Sequence, residues 1–285
     1  MSHTPKIRLA YSSCPNDTFI FKAIAKKMID LGGIDFEITI DDVETLNQNA
    51  RQGAYDVTKL SVAAFGRLSD TYSMLQTGAA LGNGCGPLII SLPGSALADT
   101  PFPSVAVPGL GTTANHLFRF FMADRFPGHH PAVTPMTFER VMPAVLEGNA
   151  EFGVIIHEGR FVYQNFGLEM IADLGEWWEN TTGMPIPLGC IAVKKDMDPG
   201  LARTIQSLIR ESIDHALENP GAGDEYIRQY AQEMAQDVIR QHIELYVNHF
   251  SRDLGEQGRQ AIVHFFERAR QSGISPLPDL SFVAD

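Results

Sequence analysis

The segment KIRLAYSSCPNDTFIF, residues 6–21, contains an alternating apolar run, a polar turn and an apolar-rich continuation. In the run, Leu9 and Tyr11 share one face, which predicts a β-strand. The continuation predicts a helix, with Asn16 or Asp17 available as its cap. A strand that passes through a short turn into a helix indicates an α/β protein, so this segment decides the fold class.

The strand–helix order continues along the chain and then repeats. An alternating run predicts a second strand over 34–40, a helix is expected over 43–52, and a third strand over 55–60. In the second half, the predicted elements are strands over 104–107, 132–136 and 152–156 and helices that begin at Thr112 or Thr113 and at Thr137. We therefore predict a two-lobed α/β protein in which each lobe is a mostly parallel sheet flanked by helices.

Two apolar runs are expected to connect the lobes. The first spans 86–93, and the second, 185–194, resembles a strand that returns to the first lobe. From Pro199 onward the apolar spacing is helical, which predicts helices that pack on lobe 1 and brace the hinge. The predicted boundaries are 1–92 with 191–285 for lobe 1, 93–190 for lobe 2, and 90–93 with 186–192 for a double hinge.

Composition and charge exclude several function classes. The chain has 285 residues, a net charge of −12 and a pI of about 5.2, with no Lys/Arg cluster that would form a nucleic-acid face. No apolar stretch approaches the roughly 20 residues needed to cross a bilayer, and no signal peptide is recognisable. Cys14, Cys85 and Cys190 are widely spaced and form no disulfide framework. We expect a cytoplasmic protein with a small-molecule partner, and neither nucleic acid nor membrane; the oligomeric state stays open.

Ligands of open α/β sheets bind at the carboxyl ends of the strands, which face each other across a cleft in a two-lobed protein. This rule places residues 12–17 and 59–61 of lobe 1 and residues 108–113 and 157–159 of lobe 2 at the cleft. Glycines at 109 and 111 allow close backbone approach, and free amides at a helix start attract anions. The alternative, in which both turns only cap helices, stays open.

His157 is the candidate for proton transfer. It ends an apolar strand at the expected cleft, and the pKa of a histidine lies near neutrality, which suits a general base. A histidine satisfied by hydrogen bonds at a strand end is the alternative. The sequence lacks the second histidine of an HExxH motif and shows no other metal set, so no metal is predicted.

Three other features of the sequence are candidate parts of a binding site. The glycine-rich stretch 78–87 predicts either a flexible loop or a loop that folds over the cleft. Cys85 within it has no identifiable base beside it and is not predicted to be a nucleophile. The pair Trp177–Trp178 is expected to pack in the core rather than to stack on a ligand.

The motifs SCPNDTFIF at 13–21 and IIHEGRF at 155–161 resemble the 1,4-dihydroxy-6-naphthoate synthase family of the futalosine route to menaquinone. Together they are specific, whereas either alone is weaker. Further matching segments follow in order over nearly the whole chain, at 44–47, 58–61, 78–82, 86–88, 105–109, 112–114, 173–175, 177–178, 187–189 and 246–248.

This resemblance implies a type II periplasmic-binding-protein-like fold and a carbon–carbon lyase. The implied reaction converts cyclic de-hypoxanthine futalosine to 1,4-dihydroxy-6-naphthoate and dihydroxyacetone, with His157 as the general base and without a cofactor. Substrate contacts implied by the family are Lys59, Leu60, Ser61, Thr113, Ala114 and Asn115. The strand-end analysis adds Ser12, Asn16, Asp17 and Thr112.

Three other functions share this fold. A non-catalytic carboxylate-binding protein is usually exported, and no export signal is recognised. The sister chorismate dehydratase fits the IIHE element less well. A ligand-sensing domain of a regulator would need a DNA-binding segment, which is not found in the sequence.

Overall fold

The structure, a computed structural model, describes residues 6–221, 223–231 and 235–284. Its first sheet has the strand order β2-β1-β3-β11-β4, with β5 paired to β11. The strands of this sheet are β1 (Lys6–Ser12), β2 (Asp35–Asp41), β3 (Val57–Ser61), β4 (Tyr72–Met74), β5 (Ala80–Gly82) and β11 (Ile186–Lys194).

The second sheet has the order β10-β6-β9-β7-β8. Its strands are β6 (Leu88–Ser91), β7 (Ser104–Val107), β8 (Ala132–Pro135), β9 (Phe152–Ile155) and β10 (Glu169–Asp173).

The two sheets repeat one pattern. In the first, β2, β1 and β3 are parallel and β11 joins them antiparallel. In the second, β8, β7 and β9 are parallel and β6 joins them antiparallel. The predicted two-lobed α/β fold is confirmed, and the antiparallel return strands make both sheets mixed.

Each return strand belongs to the sheet of the other lobe. β6 follows the elements of the first sheet along the chain but pairs in the second, and β11 does the reverse. Sheet membership therefore changes before Leu88, whereas the first hinge is predicted near 90–93. The second change comes just before Ile186, beside the predicted second hinge at 186–192. The domain boundaries themselves stay a prediction.

Helices cover both sheets and form the C-terminal region. They are α1 (Pro15–Ala25), α2 (Val43–Arg51), α3 (Val62–Leu68), α4 (Thr113–Arg125), α5 (Phe138–Leu146), α6 (Gly159–Val162), α7 (Leu174–Thr182), α8 (Pro199–Glu218), α9 (Asp224–Tyr230), α10 (Gln236–Tyr246), α11 (His249–Arg252) and α12 (Gly255–Gln271). Among the described residues, no helix is both long and apolar enough to span a membrane.

Helix α1 begins earlier than the sequence analysis expects. Cys14 occupies the cap position without a side-chain cap bond, and Pro15 is the first helical residue. Proline suits that position because its φ is preset and its missing N–H is not needed there. Asn16 and Asp17 lie in the first turn, so the predicted cap at either residue is wrong. The helix also ends at Ala25, before the glycine pair at 32–33.

An aromatic cluster packs between the lobes on the side of α12. Trp178 is fully buried, with ring centroids 6.2 Å from Phe120 and 6.0 Å from Phe265. Phe265 also contacts Phe120 at 5.5 Å, and Phe266 packs beside Gly66 of α3. Residues of both sheets therefore share one core, and the tryptophan pair packs as predicted.

The first crossing between the sheets is clamped at Gly86. The Arg160 guanidinium donates to the Gly86 carbonyl at 2.7 Å and pairs with Asp173. The amide of Leu174 donates to the carbonyl of Pro87 at 2.9 Å. The stretch 78–87 is therefore not a loop throughout, since it contains β5 and this clamped turn.

Replacing Gly86 with alanine should destabilise the protein by about 1–3 kcal/mol, as overpacking does in other closely packed sites. A Cβ at Gly86 would lie 2.2 Å from the backbone nitrogen of Gly175, so one chain must move. Urea unfolding of Gly86→Ala measures the loss. Gly221→Ala is the control, because its Cβ would meet no atom of the described residues within 4 Å, and the free energy of unfolding should change by less than about 0.5 kcal/mol. Equal free energies of unfolding for the two variants would contradict the close packing of Gly86 against Gly175.

Candidate active site between the lobes

A cavity of about 70 Å³ lies between the carboxyl ends of the strands of both sheets. Sites for drug-sized ligands measure roughly 300–1,000 Å³, so this cavity is smaller than the usual site for a molecule of that size. The cavity is lined by Ser12, Asn16, Asp17, Val43, Lys59, Ser61, Ala80, Cys85, Pro87, Thr112, Thr113, Ala114, Ile156, His157, Leu188, Gly189 and Tyr246.

Most of the residues predicted for the site meet at this cavity, and two do not. Leu60 is fully buried on the opposite face of β3, because successive strand residues point to opposite sides of a sheet. Asn115 lies in the first turn of α4, where its side chain donates to the carbonyl of Leu110 at 3.0 Å. The resemblance had implied both residues as substrate contacts, and neither lines the cavity.

Several lining residues were not singled out by the sequence analysis: Val43, Ala80, Pro87, Ile156, Leu188, Gly189 and Tyr246. Tyr246 is the last residue of α10, a helix that was predicted to pack on lobe 1 and brace the hinge and was given no role in the site. The same tyrosine begins the matching segment 246–248. The apolar members carry no local chemical signal. They become wall residues only through the pairing of distant strands such as β5 and β11.

The Asp17 carboxylate forms a buried ion pair with Lys59, at 2.5 Å from Oδ1 to Nζ. Their side chains are 0% and 6% exposed. The same carboxylate accepts from the Ser12 amide (3.2 Å), the Ser12 hydroxyl (2.6 Å) and Asn16 Nδ2 (2.9 Å). A buried ion pair is tolerated only when such additional hydrogen bonds satisfy it. Asp17 therefore anchors the turn after β1 to β3.

The Ser61 hydroxyl is held by Asn47 of α2. Asn47 Nδ2 donates to Ser61 Oγ at 3.1 Å, and Asn47 Oδ1 accepts from the Ser61 amide at 3.0 Å. Because Ser61 Oγ accepts from Asn47, its own proton is available to donate into the cavity. Asn47 lies in the matching segment 44–47, which the sequence analysis noted without assigning a role.

The start of α4 presents amides to the cavity. Thr112 caps the helix through its hydroxyl, which accepts from the Asn115 amide at 3.2 Å. The amides of Thr113 and Ala114 belong to the first turn, where no helical carbonyl can accept from them. Such amides attract anionic groups. The Thr113 hydroxyl is already engaged, because it donates to the Leu188 carbonyl at 2.8 Å.

The glycines before α4 serve a contact between the lobes. A Cβ on Gly109 would lie 2.7 Å from Glu44 Cγ, and one on Gly111 would lie 3.0 Å from the Glu44 carboxylate. Gly109 also has a φ of +114°, which side chains rarely adopt. The close approach that the sequence suggested for a ligand is therefore made by Glu44 of the other lobe.

His157 is held in a strained conformation at the end of β9. Its φ is +56°, uncommon for a residue other than glycine and frequent at functional sites. The Nε2 atom is shielded from solvent and has no hydrogen-bond partner among the described residues. The ring meets Phe138 edge-on at 5.2 Å. The alternative of a histidine satisfied by hydrogen bonds is thus not supported at Nε2.

Burial lowers the pKa of His157 to about 4, since the charged imidazolium loses its hydration. Lys59 lowers this pKa further, whereas Asp17 and Asp42 raise it. The imidazole is therefore neutral at pH 7 and can accept a proton. Burial raises the pKa of Cys85 to about 12, which disfavours the thiolate and agrees with its exclusion as a nucleophile.

Comparison with known proteins links this site to one pathway. Residues 7–271 match a family model described as menaquinone biosynthesis. The chain is 42% identical over 270 residues to 1,4-dihydroxy-6-naphthoate synthase of Streptomyces coelicolor, covering 95% of each chain. It is 40% identical over 279 residues to the enzyme of the same name in Thermus thermophilus, covering 97% of this chain and 99% of the relative.

Solved structures agree with the fold. Protein AF1704 from Archaeoglobus fulgidus has a TM-score of 0.88 and 32% identity, covering 96% of this chain and all of its own. The alkanesulfonate-binding protein of Xanthomonas axonopodis pv. citri, bound to MOPS, has a TM-score of 0.73 at 12% identity, covering 99% and 98%. The second similarity shows a periplasmic-binding-protein-like fold.

Removing the charge of Asp17 should cost more than removing an exposed charge elsewhere. Asp17→Asn leaves the buried Lys59 ammonium without a counter-charge, and breaking such pairs costs about 3–5 kcal/mol. Glu37→Gln is the control, because its pair with Lys6 is more than half exposed and should contribute less than about 1 kcal/mol. Urea unfolding of both variants measures their free energies of unfolding. A loss in Asp17→Asn no larger than that in Glu37→Gln would refute the structural role of the Asp17–Lys59 pair.

Proposed function

Because the chain belongs to the menaquinone biosynthesis family, we propose that it converts cyclic de-hypoxanthine futalosine to 1,4-dihydroxy-6-naphthoate, with release of dihydroxyacetone. The chain is an enzyme of menaquinone biosynthesis, and a carbon–carbon lyase is consistent with the name of its relatives. In this proposal His157 is the general base.

The observation that carries the proposal is the place of His157 on the cavity wall, with an Nε2 atom that has no hydrogen-bond partner among the described residues. A neutral imidazole there has a nitrogen available for a proton from a bound molecule. A positioned general base contributes roughly 10²–10⁴-fold to a rate. The positive φ of His157 costs conformational free energy, and such strained backbone conformations cluster at functional sites, where they fix the orientation of a side chain.

The proposed chemistry uses this base to break a carbon–carbon bond. His157 accepts a proton from the sugar-derived part of the substrate, beside an oxygen-bearing carbon. The electron pair freed by this deprotonation forms a new π bond in the part that becomes the naphthoate ring, and the bond to the three-carbon fragment breaks with its own electron pair passing to the fragment. The same imidazolium returns its proton to the departing fragment, which leaves as dihydroxyacetone. Aromatisation makes the step favourable.

Two groups of donors suit the two ends of this substrate. The amides of Thr113 and Ala114 favour an anion, and we assign the aromatic carboxylate to them. Lys59 is already paired with Asp17 and is the weaker candidate for that carboxylate. Ser61 and Lys59 border the cavity with protons to donate, and we assign them to the sugar-derived hydroxyls and the developing oxyanion.

Closure of the lobes completes the proposed site. Groups from both sheets surround the cavity, so the full set of donors and the base exists only when the lobes meet. Closure also excludes water from the reacting bond, which strengthens each electrostatic contact there. Relatives named as synthases favour this function over a non-catalytic binder and over the sister chorismate dehydratase.

Loss of the His157 imidazole should abolish turnover and preserve binding. We expect His157→Gln to lower kcat by about 10²–10⁴-fold, measured as naphthoate formation from the cyclic futalosine derivative. Ligand binding by calorimetry should persist, because the proposed carboxylate and hydroxyl contacts come from other residues. His249→Gln, at an exposed site outside the cavity, should keep normal activity. Full activity in His157→Gln would overturn the assignment of the base.

The pH dependence of kcat should report the pKa of His157 in the closed enzyme–substrate complex. Below its pKa the base is protonated and inactive, so kcat should fall on the acid side with a midpoint at about pH 4. The pH profile of kcat/KM reports the pKa of His157 in the free enzyme. Its acid-side midpoint should lie at higher pH than that of kcat, because open lobes let water hydrate the imidazole ring. Tryptophan fluorescence checks that the protein stays folded. A kcat midpoint at or above 6.5, the ordinary histidine pKa, would contradict a desolvated base.

A further inference from the structure

His242 is a fully buried histidine that directly adjoins the proposed base and that the proposed chemistry does not use. It lies on α10 and is 0% exposed. Its ring stacks on that of His157, with centroids 6.0 Å apart and planes inclined by 22°. Tyr246, one turn further along α10, packs against it at 4.5 Å. His242 does not line the cavity, so it does not touch a substrate placed there.

The hydrogen bonds of Asn16 determine which nitrogen of His242 is protonated. Asn16 Nδ2 donates to Asp17 Oδ1 at 2.9 Å, and a carboxylate can only accept, so the amide group has one orientation. Asn16 Oδ1 then faces His242 Nε2 at 2.9 Å. Since Oδ1 can only accept, Nε2 must carry the proton. Neutral His242 is therefore the Nε2–H tautomer, with its lone pair on Nδ1.

The charged groups around this ring bear on its protonation. Nδ1 lies 3.9 Å from Oε2 of Glu158, the residue that follows the base. Burial lowers the pKa of His242 well below its ordinary value, and His157 and Lys59 lower it further. The ring is consequently neutral at pH 7. A neutral neighbour suits a base that must become positively charged, because a second cation in contact would oppose that charge.

These contacts connect a cavity-lining residue of one lobe, Lys59, with the proposed general base of the other lobe, His157. Lys59 pairs with Asp17, Asp17 orients Asn16, and Asn16 orients His242. His242 belongs to the C-terminal helices, whereas His157 follows β9 of the second sheet. The stacking therefore fixes the plane of the His157 ring only when the lobes are closed.

We propose that His242 is a positioning residue for the base: held by Asn16 as the Nε2–H tautomer, it sets the orientation of the His157 ring in the closed enzyme. This proposal rests on the proposed role of His157. Misplacement of a reacting group by about 1 Å can cost 10²-fold in rate, so loss of this support should act on kcat. The substrate contacts are untouched, so KM should change little.

The first experiment is ¹⁵N NMR of the histidine rings in the wild-type protein, with His242 assigned by comparison with His242→Gln. The expected pattern at pH 7 is a protonated Nε2 and an unprotonated Nδ1. An Nδ1–H tautomer or an imidazolium would overturn the proposal. This measurement needs no turnover, so it stands even where the proposed reaction fails.

The second experiment compares two replacements of His242 with the exposed control His249→Gln. His242→Gln keeps a donor for Asn16 but loses the ring, and His242→Phe keeps a ring but loses the donor. We expect each to lower kcat at least tenfold with KM within about threefold. In His242→Gln the acid limb of kcat should also move to higher pH, because water can enter beside His157 and relieve its desolvation.

The outcomes separate this proposal from the proposed function. If wild type forms naphthoate, His157→Gln abolishes it and the His242 variants keep normal kcat and pH limb, only the positioning role is refuted. If wild type forms no naphthoate, the proposed reaction is refuted and the tautomer measurement still decides the Asn16–His242 contact. A change in protein stability with unaltered kcat for the folded fraction would assign His242 to the fold alone and refute the proposal.

Discussion

The buried ion pair of Asp17 and Lys59 is the interaction on which the candidate site depends. Asp17 follows β1 and Lys59 lies within β3, so their contact fixes two strand ends of one lobe against each other. The cost of burying both charges is offset only by the complete set of donors around the carboxylate. The same carboxylate orients Asn16, and through Asn16 it reaches His242 and the second lobe.

The chain exchange between the lobes explains how this pair becomes part of a cavity. Because β6 and β11 each pair in the other lobe's sheet, both crossings lie side by side near the cleft. Arg160, three residues after His157, holds the first crossing through Gly86 and Asp173. The loop that carries the proposed base is therefore tied to the crossing about which the lobes would move.

Local patterns predicted β1 to β3, β7 to β9 and the return strand β11, and they placed His157 at a strand end, because alternation and helical spacing are properties of neighbouring residues. The short strands β4, β5 and β10 and several site contacts depend on tertiary packing, which such patterns do not show. Leu60 was included from a matching segment although alternation along β3 turns it away from the cavity. The glycines at 109 and 111 accommodate Glu44, which no local pattern indicates. His242 lies 226 residues from Asn16, so only the folded chain shows that they meet.

In the closed protein we expect a ring nitrogen of His157 to lie beside the reacting part of a bound molecule. A crystal structure of the enzyme with 1,4-dihydroxy-6-naphthoate tests it most directly. The ligand should lie between the lobes, with its carboxylate at the amides of Thr113 and Ala114 and a ring nitrogen of His157 about 2.6–3.2 Å from one of its hydroxyl oxygens. A ligand bound outside the cavity, or a His157 ring turned away from it, would contradict the account.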